Sequence, residues 1–375
     1  MNIGLLGFGV VGGGVYEWCS GREDIHVTRI LVRSEKPEIA AIATREFQDI
    51  LNDPAIDTVA ECMGGLHPAY EYVSAALKAG KNVVTANKAL IAAYYRELIA
   101  LAKDSGAALR CTAAVGGGIP WLINLERCKR LDRICELGGI MNGTTNYIMD
   151  AMHHKSVDFG EILKQAQELG YAEADPSADI DGDDIRRKLV ISANIAFGVS
   201  LHEESIPTFG IRYVSKADIQ LFKKHKFVCK LLAKAERTET GVCAYIEPTL
   251  VEATAPEAAV PANFNLISYC GENIGQQSFF GQGAGRFPTA ANVAQDCLDI
   301  LQGQKSFYAE EAVPAGLDCG EAHPYYVRCD APDRWLKGKI AEEWATNCYI
   351  TGAIECGEMI TWAKAHPGCF IAGIR

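Results

Sequence analysis

The sequence Gly7-Phe8-Gly9-Val10-Val11-Gly12 is the strongest indication of the fold of the N-terminal part of this 375-residue chain. It has the spacing GxGxxG, follows a short apolar run at residues 2–6 and opens an apolar segment that continues to about Cys19. Between a strand and a helix, the first glycine permits a tight turn, the second lets a pyrophosphate approach and the third allows close packing. The stretch therefore predicts a dinucleotide-binding turn, and the alternative is a tight strand–helix turn without a ligand.

Predicted strands and helices alternate through the rest of the first 130 residues. The expected strands are at residues 26–32, 58–62, 82–85 and 108–113, and the expected helices at 66–78 and 89–103. Such alternation is typical of a parallel, doubly wound α/β sheet, so we predict a Rossmann domain over residues 1–130. A late helix at 290–301 is expected to return to this domain, within a segment at about 281–303.

The regular alternation of strands and helices ends after residue 131, which predicts a second domain of α+β character over residues 131–280. Its expected elements are helices at 159–169, 183–196 and 216–235 and strands at 241–247 and 265–269. Phe279 and Phe280 are expected in its core. A Gly- and Pro-containing linker at 302–321 is followed by a small strand–helix–strand module at 322–375, with its helix at 333–344.

Composition limits the classes of partner. The chain is 49% hydrophobic and carries a formal net charge of −11, whereas nucleic acids and anionic membranes attract clustered Lys and Arg. We therefore expect neither as a partner. The 14 cysteines show no metal-binding or redox spacing, and we find neither a signal peptide nor a membrane-spanning run, so we expect reduced thiols and a cytoplasmic location.

The end of the second predicted strand bears on the choice of nicotinamide cofactor. NAD-preferring sites usually place an acidic residue there to bind the ribose hydroxyls. Here the segment reads Arg33-Ser34-Glu35-Lys36, in which a guanidinium can bind the 2′-phosphate of NADP. The sequence favours NADP over NAD, although Glu35 could still reach a ribose.

Several further stretches, in this order, resemble the signature blocks of homoserine dehydrogenases. They are Gly64-Gly65, Thr85-Ala-Asn-Lys88-Ala-Leu, Val115-Gly-Gly-Gly-Ile-Pro120, Gly139-Ile-Met-Asn142-Gly-Thr-Thr-Asn-Tyr147, the long block from Gly170 to Lys188, and Gly281-Gln-Gly-Ala-Gly285. The resemblance covers about residues 1–305. It implies interconversion of L-homoserine and L-aspartate 4-semialdehyde in threonine, methionine and isoleucine biosynthesis, by a homodimer whose second domain is catalytic and dimerising.

The resemblance also assigns roles to residues. It implies that Lys88 and Lys188 lie around the reacting carbon. The acidic side chains that bind homoserine and orient the lysines would be Glu173, Asp179 and Asp184. Other substrate-contacting positions would be Tyr171, Asn142, Gly143 and Thr144. Positions near the nicotinamide or beside the cofactor would be Gly64, Gly65, Asn87, Lys88, Gly116 and Gly285.

Elementary chemistry agrees with the two lysines. Reduction of the aldehyde needs a hydride at carbon and a proton at oxygen, and a nearby cation stabilises the developing alkoxide. Asp184 and Lys188 are four residues apart, so they share one face of the predicted helix. A surface salt bridge is the alternative for this pair, and a solvated loop lysine is the alternative for Lys88.

Two departures from the family pattern leave questions open. Many family members bind a monovalent cation through backbone carbonyls and a glutamate. The carbonyls here would be those of Val115, Gly117 and Ile119 in the carbonyl loop (residues 115–119), and Thr112 takes the position of the glutamate. The sequence therefore leaves two alternatives: the carbonyls still bind Na⁺ or K⁺, or the site is weaker or absent without the glutamate. The 322–375 module resembles part of an ACT regulatory domain but is shorter than a complete one. The sequence therefore does not decide between feedback inhibition by an amino acid such as threonine and a dimerisation role. The rival functions are another small-acid reductase and a cofactor-binding regulator without catalysis.

Overall fold

The computed structural model describes residues 1–304, 313–314, 316–318 and 320–375. Most of the predicted linker at 302–321 therefore lies outside the described residues. The chain forms two compact units. The first comprises Met1–Arg133, Val190–Ser200 and Gly281–Pro314, and the second comprises Ile134–Leu189, Leu201–Phe280 and Ala315–Arg375. No helix among the described residues is both long and apolar enough to cross a membrane.

The strands are numbered along the chain. They are β1 (Asn2–Leu6), β2 (His26–Leu31), β3 (Ala43–Thr44), β4 (Thr58–Glu61), β5 (Asn82–Thr85), β6 (Leu109–Arg110), β7 (Ile134–Ile140), β8 (Val199–Ser200), β9 (Phe227–Arg237), β10 (Val242–Glu252), β11 (Phe264–Gly271), β12 (Gly275–Gln282), β13 (Val313–Pro314), β14 (Ala322–His323), β15 (Tyr325–Arg328), β16 (Ile340–Ala345), β17 (Cys348–Thr351), β18 (Ile354–Glu355) and β19 (Phe370–Ile374).

The α-helices are numbered in the same way. They are α1 (Val10–Cys19), α2 (Gln48–Leu51), α3 (Ala69–Lys78), α4 (Lys88–Ser105), α5 (Trp121–Lys129), α6 (Gly143–Lys155), α7 (Phe159–Glu168), α8 (Ser177–Ile180), α9 (Asp183–Phe197), α10 (Lys216–Lys224), α11 (Arg286–Leu301), α12 (Arg334–Lys337) and α13 (Cys356–Ala365). Short 3₁₀ helices lie at Pro37–Ile39, Thr112–Ala114, Glu203–Ser205 and Pro256–Ala259.

The first unit contains a six-stranded sheet with the order β3-β2-β1-β4-β5-β6, and all its pairs are parallel. The order reverses at β1, as in a Rossmann domain, so the predicted fold is confirmed. Helix α1 packs closely against α11, because a Cβ at Gly14 would lie only 2.8 Å from the Ala290 Cβ. The apolar side chains of β1, such as Ile3 and Leu5, are fully buried in this core.

The second unit contains a nine-stranded sheet with the order β12-β11-β7-β9-β10-β19-β15-β17-β16. The antiparallel pair of β9 and β10 is in register over eleven residue pairs, from Val242 opposite Arg237 to Glu252 opposite Phe227. Strand β19 pairs with β10 in parallel and with β15 antiparallel. The C-terminal residues, which the sequence assigned to a module of their own, thus continue this sheet and belong to the same compact unit.

Three local predictions for the second unit are wrong. The expected helix at 216–235 ends at Lys224, and its second half is strand β9. The expected helix at 333–344 is a single turn, α12, followed by strand β16. Phe280 was expected in the core but is 56% exposed, because β12 is the edge strand of the sheet.

Candidate active site

The predicted dinucleotide-binding turn joins β1 to α1. Gly7 has a φ of 94°, in the left-handed region that favours glycine, and its N–H donates to the Leu31 carbonyl at 3.0 Å. A Cβ at Gly12 would lie 2.1 Å from the Gly7 carbonyl oxygen, so a larger residue cannot fit there. A Cβ at Gly9 would meet nothing within 4 Å. The turn therefore leaves its backbone open to a ligand in front of the N-terminus of α1, which favours an anion.

A groove of about 560 Å³ lies beside this turn. Of the predicted cofactor residues, those that line it are Gly7, Phe8, Gly9, Arg33 and Gly64. His67, Pro68 and Tyr72 also line it and were not expected from the sequence. Its position at the carboxyl ends of β1, β2 and β4 is where open parallel sheets bind dinucleotides, so the groove fits the cofactor that the glycine turn implies.

One edge of the groove is basic. Arg33, Lys36 and Arg45 line it together with Ser34, and no acidic residue is among the described residues that do so. Glu35 does not line the groove, and its carboxylate lies 3.5 Å from the Arg45 guanidinium on the protein surface. Arg45 was missed by sequence reasoning because the parallel pairing of β2 with β3 brings it here.

A buried carboxylate organises the turn after β4. Glu61 is fully buried, and one of its oxygens accepts hydrogen bonds from the Met63 and Gly64 N–H groups at 2.8 and 3.2 Å. The Thr85 hydroxyl donates to the other oxygen at 2.5 Å. Burial raises the pKa of the Glu61 carboxyl, and these hydrogen bonds oppose the rise. Glu61 thereby links the β4 turn to the end of β5.

The Asn-Lys block begins helix α4. The Asn87 side chain accepts from the Leu90 N–H at 3.1 Å as the helix N-cap, and its amide donates to the Gly65 carbonyl at 2.7 Å. Lys88 is the first residue of α4 and is half-buried. Asn87 and Lys88 are therefore held beside the Gly64–Gly65 turn, as the resemblance implies for residues near the nicotinamide.

In the second unit, Lys188 lies in a buried polar cluster. Its ammonium lies 2.8 Å from an Asp184 carboxylate oxygen and donates to the Met141 carbonyl at 2.8 Å. The side chains of Lys188 and Asp184 are each only 9% exposed, so the alternative of a surface salt bridge is wrong. The Asn142 amide donates to both Asp184 and Asp179, each at 2.7 Å. We call Lys188, Asp184, Asn142 and Asp179 the lysine cluster.

The two carboxylates of the lysine cluster lie close together, and the pKa of one of them, Asp179, is raised. Burial, and then the charge of Asp184, raise the pKa of the Asp179 carboxyl. The hydrogen bond from Asn142 and the charge of Lys188 oppose this rise. Two carboxylates, a lysine ammonium and an amide thus meet in one place, a set that can bind an amino acid and stabilise charge on a reacting oxygen.

The start of α6 fixes the other predicted substrate residues. Asn142 caps this helix, with its side-chain oxygen accepting from the Thr145 N–H at 2.8 Å. Gly143 must be small, because a Cβ there would lie 2.5 Å from the Asn263 carbonyl oxygen. The Thr144 hydroxyl donates to the Tyr171 carbonyl at 2.6 Å. The helix start thereby joins the lysine cluster to the loop that carries the remaining residues.

That loop follows α7 and is more open. The Tyr171 ring is 39% exposed and lies 5.2 Å from the Tyr147 ring in an edge-on arrangement. Glu173 is exposed, and its backbone carbonyl accepts from the Gln167 side chain at 3.0 Å. Both residues lie close in sequence to Asp179, but the contacts described for Glu173 do not join it to the lysine cluster.

The carbonyl loop departs from the expected cation site. The Asn292 amide of α11 donates to the Gly117 carbonyl at 2.5 Å and lies 3.3 Å from the Ile119 carbonyl. Thr112, which takes the position of the expected glutamate, donates its hydroxyl to Asp296 at 2.6 Å. Two of the three expected carbonyl ligands thus already have a partner, and the residues present do not fit the cation site that the resemblance implies. Asn292, Asp296 and Glu61 were all missed by sequence reasoning.

Comparison with known proteins agrees with this picture. Residues 7–112 match the model of the homoserine dehydrogenase NAD-binding domain, and residues 120–298 match the model of the homoserine dehydrogenase domain. The homoserine dehydrogenase of Bacillus subtilis is 36% identical over 319 residues, which is 81% of this chain and 74% of that protein. That of a Synechocystis species is 39% identical over 339 residues, covering 86% and 78%.

The solved structures agree. A crystal structure of a homoserine dehydrogenase from Thiobacillus denitrificans superposes with a TM-score of 0.89 at 31% identity, covering 100% of this chain and 98% of that one. A Staphylococcus aureus homoserine dehydrogenase structure gives 0.80 at 28% identity with the same coverage. These matches favour this activity over the other small-acid reductases considered above. The chain belongs to the homoserine dehydrogenase family of oxidoreductases.

Proposed function

We propose that this homoserine dehydrogenase prefers NADP, and that the lysine cluster binds the substrate and stabilises its reacting oxygen. The cofactor preference rests on one observation, the basic edge of the groove formed by Arg33, Lys36 and Arg45. A 2′-phosphate gains charge-assisted hydrogen bonds from such residues, whereas NAD offers only a hydroxyl there. Glu35, the carboxylate after the end of β2 that could favour NAD, lies 3.5 Å from the Arg45 guanidinium instead.

The role of the lysine cluster follows from its charges. The nicotinamide, when bound, supplies or accepts the hydride. Lys188 donates a hydrogen bond to the substrate oxygen, which carries negative charge as the aldehyde is reduced. Asp184 holds the Lys188 ammonium in place through the 2.8 Å ion pair. Asp179 provides a carboxylate for the substrate ammonium group. Lys88, at the start of α4, is a second cation that stabilises the negative charge on the substrate oxygen. Glu173 is a second carboxylate for the substrate ammonium group.

Steady-state kinetics with both cofactors test the preference. The absorbance of the reduced nicotinamide reports oxidation with L-aspartate 4-semialdehyde as substrate. We expect a lower KM for NADPH than for NADH. In Arg33→Glu, the KM for NADPH should rise about tenfold or more, since a charge-assisted bond is lost, while that for NADH changes little. Arg22→Glu, which alters an exposed arginine paired with Asp24, is the matched control. An equal effect of Arg33→Glu on both cofactors contradicts the proposal.

The homodimer that the resemblance implies is also proposed. It is supported by the edge strand β12, in which Phe280 stacks on Phe264 with ring centroids 5.0 Å apart while staying largely exposed. An edge strand leaves backbone N–H and C=O groups unpaired, which is a liability unless the edge is covered. Light scattering during gel filtration should give twice the mass of one chain, and a monomer at working concentration contradicts this proposal.

A further inference from the structure

Helix α11 presents two polar side chains, one turn apart, to the segment that contains the carbonyl loop. Asn292 and Asp296 are four residues apart and therefore lie on one face of the helix. The Asp296 carboxylate accepts from the Thr112 N–H at 2.8 Å and the Thr112 hydroxyl at 2.6 Å, and from the Arg110 guanidinium at 3.1 Å. Both of its oxygens are thus engaged by donors within the protein.

Asn292 is only 9% exposed, and its orientation is fixed by chemistry. Its nitrogen faces two backbone carbonyls, those of Gly117 at 2.5 Å and Ile119 at 3.3 Å. Carbonyl oxygens only accept hydrogen bonds, so the side-chain NH₂ group must point at them, because the amide oxygen in that place would repel both. The amide hydrogens therefore bring positive partial charge to the point where these carbonyls converge.

We propose that the Asn292 amide permanently occupies the place of the monovalent cation in the carbonyl loop, so that this chain binds and needs neither Na⁺ nor K⁺ there. A cation between the same carbonyls would meet the amide hydrogens. The carboxylate that would favour a cation is absent, since Thr112 stands in its position, and Asp296 is already surrounded by donors. A neutral side chain thus donates to two buried carbonyls, of which that of Ile119 also accepts from the Trp121 N–H at 2.7 Å.

The proposal is independent of the proposed function, because ion binding changes thermal stability whether or not the protein is active. A ligand that binds only the folded state raises the melting temperature Tm, by roughly 5 °C at about a hundred times its Kd. The wild-type chain is first dialysed into choline chloride. Its Tm and kcat are then measured in choline chloride, NaCl and KCl at equal ionic strength. We expect the three Tm values, and the three kcat values, to coincide.

A substitution at Asn292 should create the ion dependence that the wild type lacks. Asn292→Asp has the same shape but places a carboxylate against two carbonyls, which a cation would relieve. Its Tm should fall in choline chloride and recover by several degrees in NaCl or KCl. Asn52→Asp, at an exposed asparagine after α2, controls for the added charge and should show no ion-specific recovery.

The outcomes are distinct. Coincident wild-type curves together with ion-specific recovery of Asn292→Asp support the proposal. A wild-type Tm that rises in NaCl or KCl relative to choline chloride overturns it, and this measurement stands even where Asn292→Asp fails to fold. A folded Asn292→Asp variant whose Tm is the same in all three salts also overturns it, because the carbonyl loop would then not be a cation-binding site.

Discussion

The pKa of the Asp179 carboxyl is raised by its burial and by the negative charge of the neighbouring Asp184. Its raised pKa means that it takes up a proton at a higher pH than an ordinary aspartate. As the pH falls through that pKa, the lysine cluster loses one negative charge. A substrate ammonium group then loses the charge of one of its two proposed carboxylate partners, so substrate binding should weaken toward acidic pH.

We predict that the KM for L-homoserine rises at acidic pH and that Asp179→Asn removes this dependence. In the variant, KM should be about tenfold higher at neutral pH, as expected for loss of a charged hydrogen bond, and flat where the wild type rises. Asp181→Asn, at an exposed carboxylate paired with Arg212, is the matched control and should retain the wild-type profile. A profile of Asp179→Asn that follows the wild type would remove Asp179 from the ammonium site.

Local spacing determines which residues the sequence alone could predict. Lys188 and Asp184 were predicted from the resemblance of the 170–188 block, and their spacing of four residues placed them on one helix face. The glycine turn was predicted because its three glycines lie between a strand and a helix. Glu61 and Arg45 were missed, because their partners come from other strands of the sheet. Such meetings depend on strand order, which no local spacing in the chain encodes.

At the scale of elements, strand β9 shows where helix propensity fails. Its residues from Lys230 to Arg237 are rich in Leu, Ala, Lys and Glu, which are good helix formers. Pairing with β10 along eleven residues supplies hydrogen bonds and buried contacts that outweigh this preference. Lys230 is buried with its ammonium donating to Asn146 and the Val260 carbonyl at 2.9 and 2.8 Å, an arrangement that periodicity could not reveal.

Helix α10 is tied to the C-terminal strands by one buried carboxylate. Asp218, 1% exposed, completes a capping box with Ser215 and accepts from the Tyr326 hydroxyl at 2.6 Å and the Arg328 guanidinium at 2.9 Å. We predict that Asp218→Ala destabilises the protein by about 3 kcal/mol, because it breaks a buried ion pair and a helix cap. Urea unfolding followed by circular dichroism measures this change.

The control for that variant is Asp104→Ala, at an exposed position near the end of α4, which should shift the urea midpoint little. Equal midpoints for Asp218→Ala and Asp104→Ala would show that α10 and the C-terminal strands do not depend on this carboxylate.

At the scale of the whole molecule, the sequence predicted the Rossmann unit well and the C-terminal residues less well. The parallel sheet follows from alternating elements that are contiguous in the chain. The C-terminal strands join the nine-stranded sheet through β10, which precedes them by about seventy residues or more. Glu247 of β10 is fully buried, pairs with His323 at 2.7 Å and accepts from the Tyr325 hydroxyl at 2.8 Å.

We therefore predict that a chain truncated after residue 304 does not fold stably. If residues 322–375 were an independent module, the truncated chain would fold normally. The loss of residues 305–375 would remove the C-terminal partners of two buried carboxylates, Asp218 and Glu247, at a cost of several kcal/mol each. We expect aggregation or a strongly lowered Tm, measured beside the full-length chain. A truncated chain that melts cooperatively near the full-length Tm would establish the C-terminal residues as a separate module.

The most direct test of the account concerns Lys188. Wild type, Lys188→Ala and the exposed-site control Lys164→Ala are compared for reduction of L-aspartate 4-semialdehyde by NADPH, with NADPH binding measured separately. We predict turnover in wild type and control, and a kcat lower by about 10²–10⁴-fold in Lys188→Ala with NADPH binding unchanged. Wild-type turnover that survives in Lys188→Ala would contradict the assigned role, and NADPH binding without any wild-type turnover would contradict the proposed reaction.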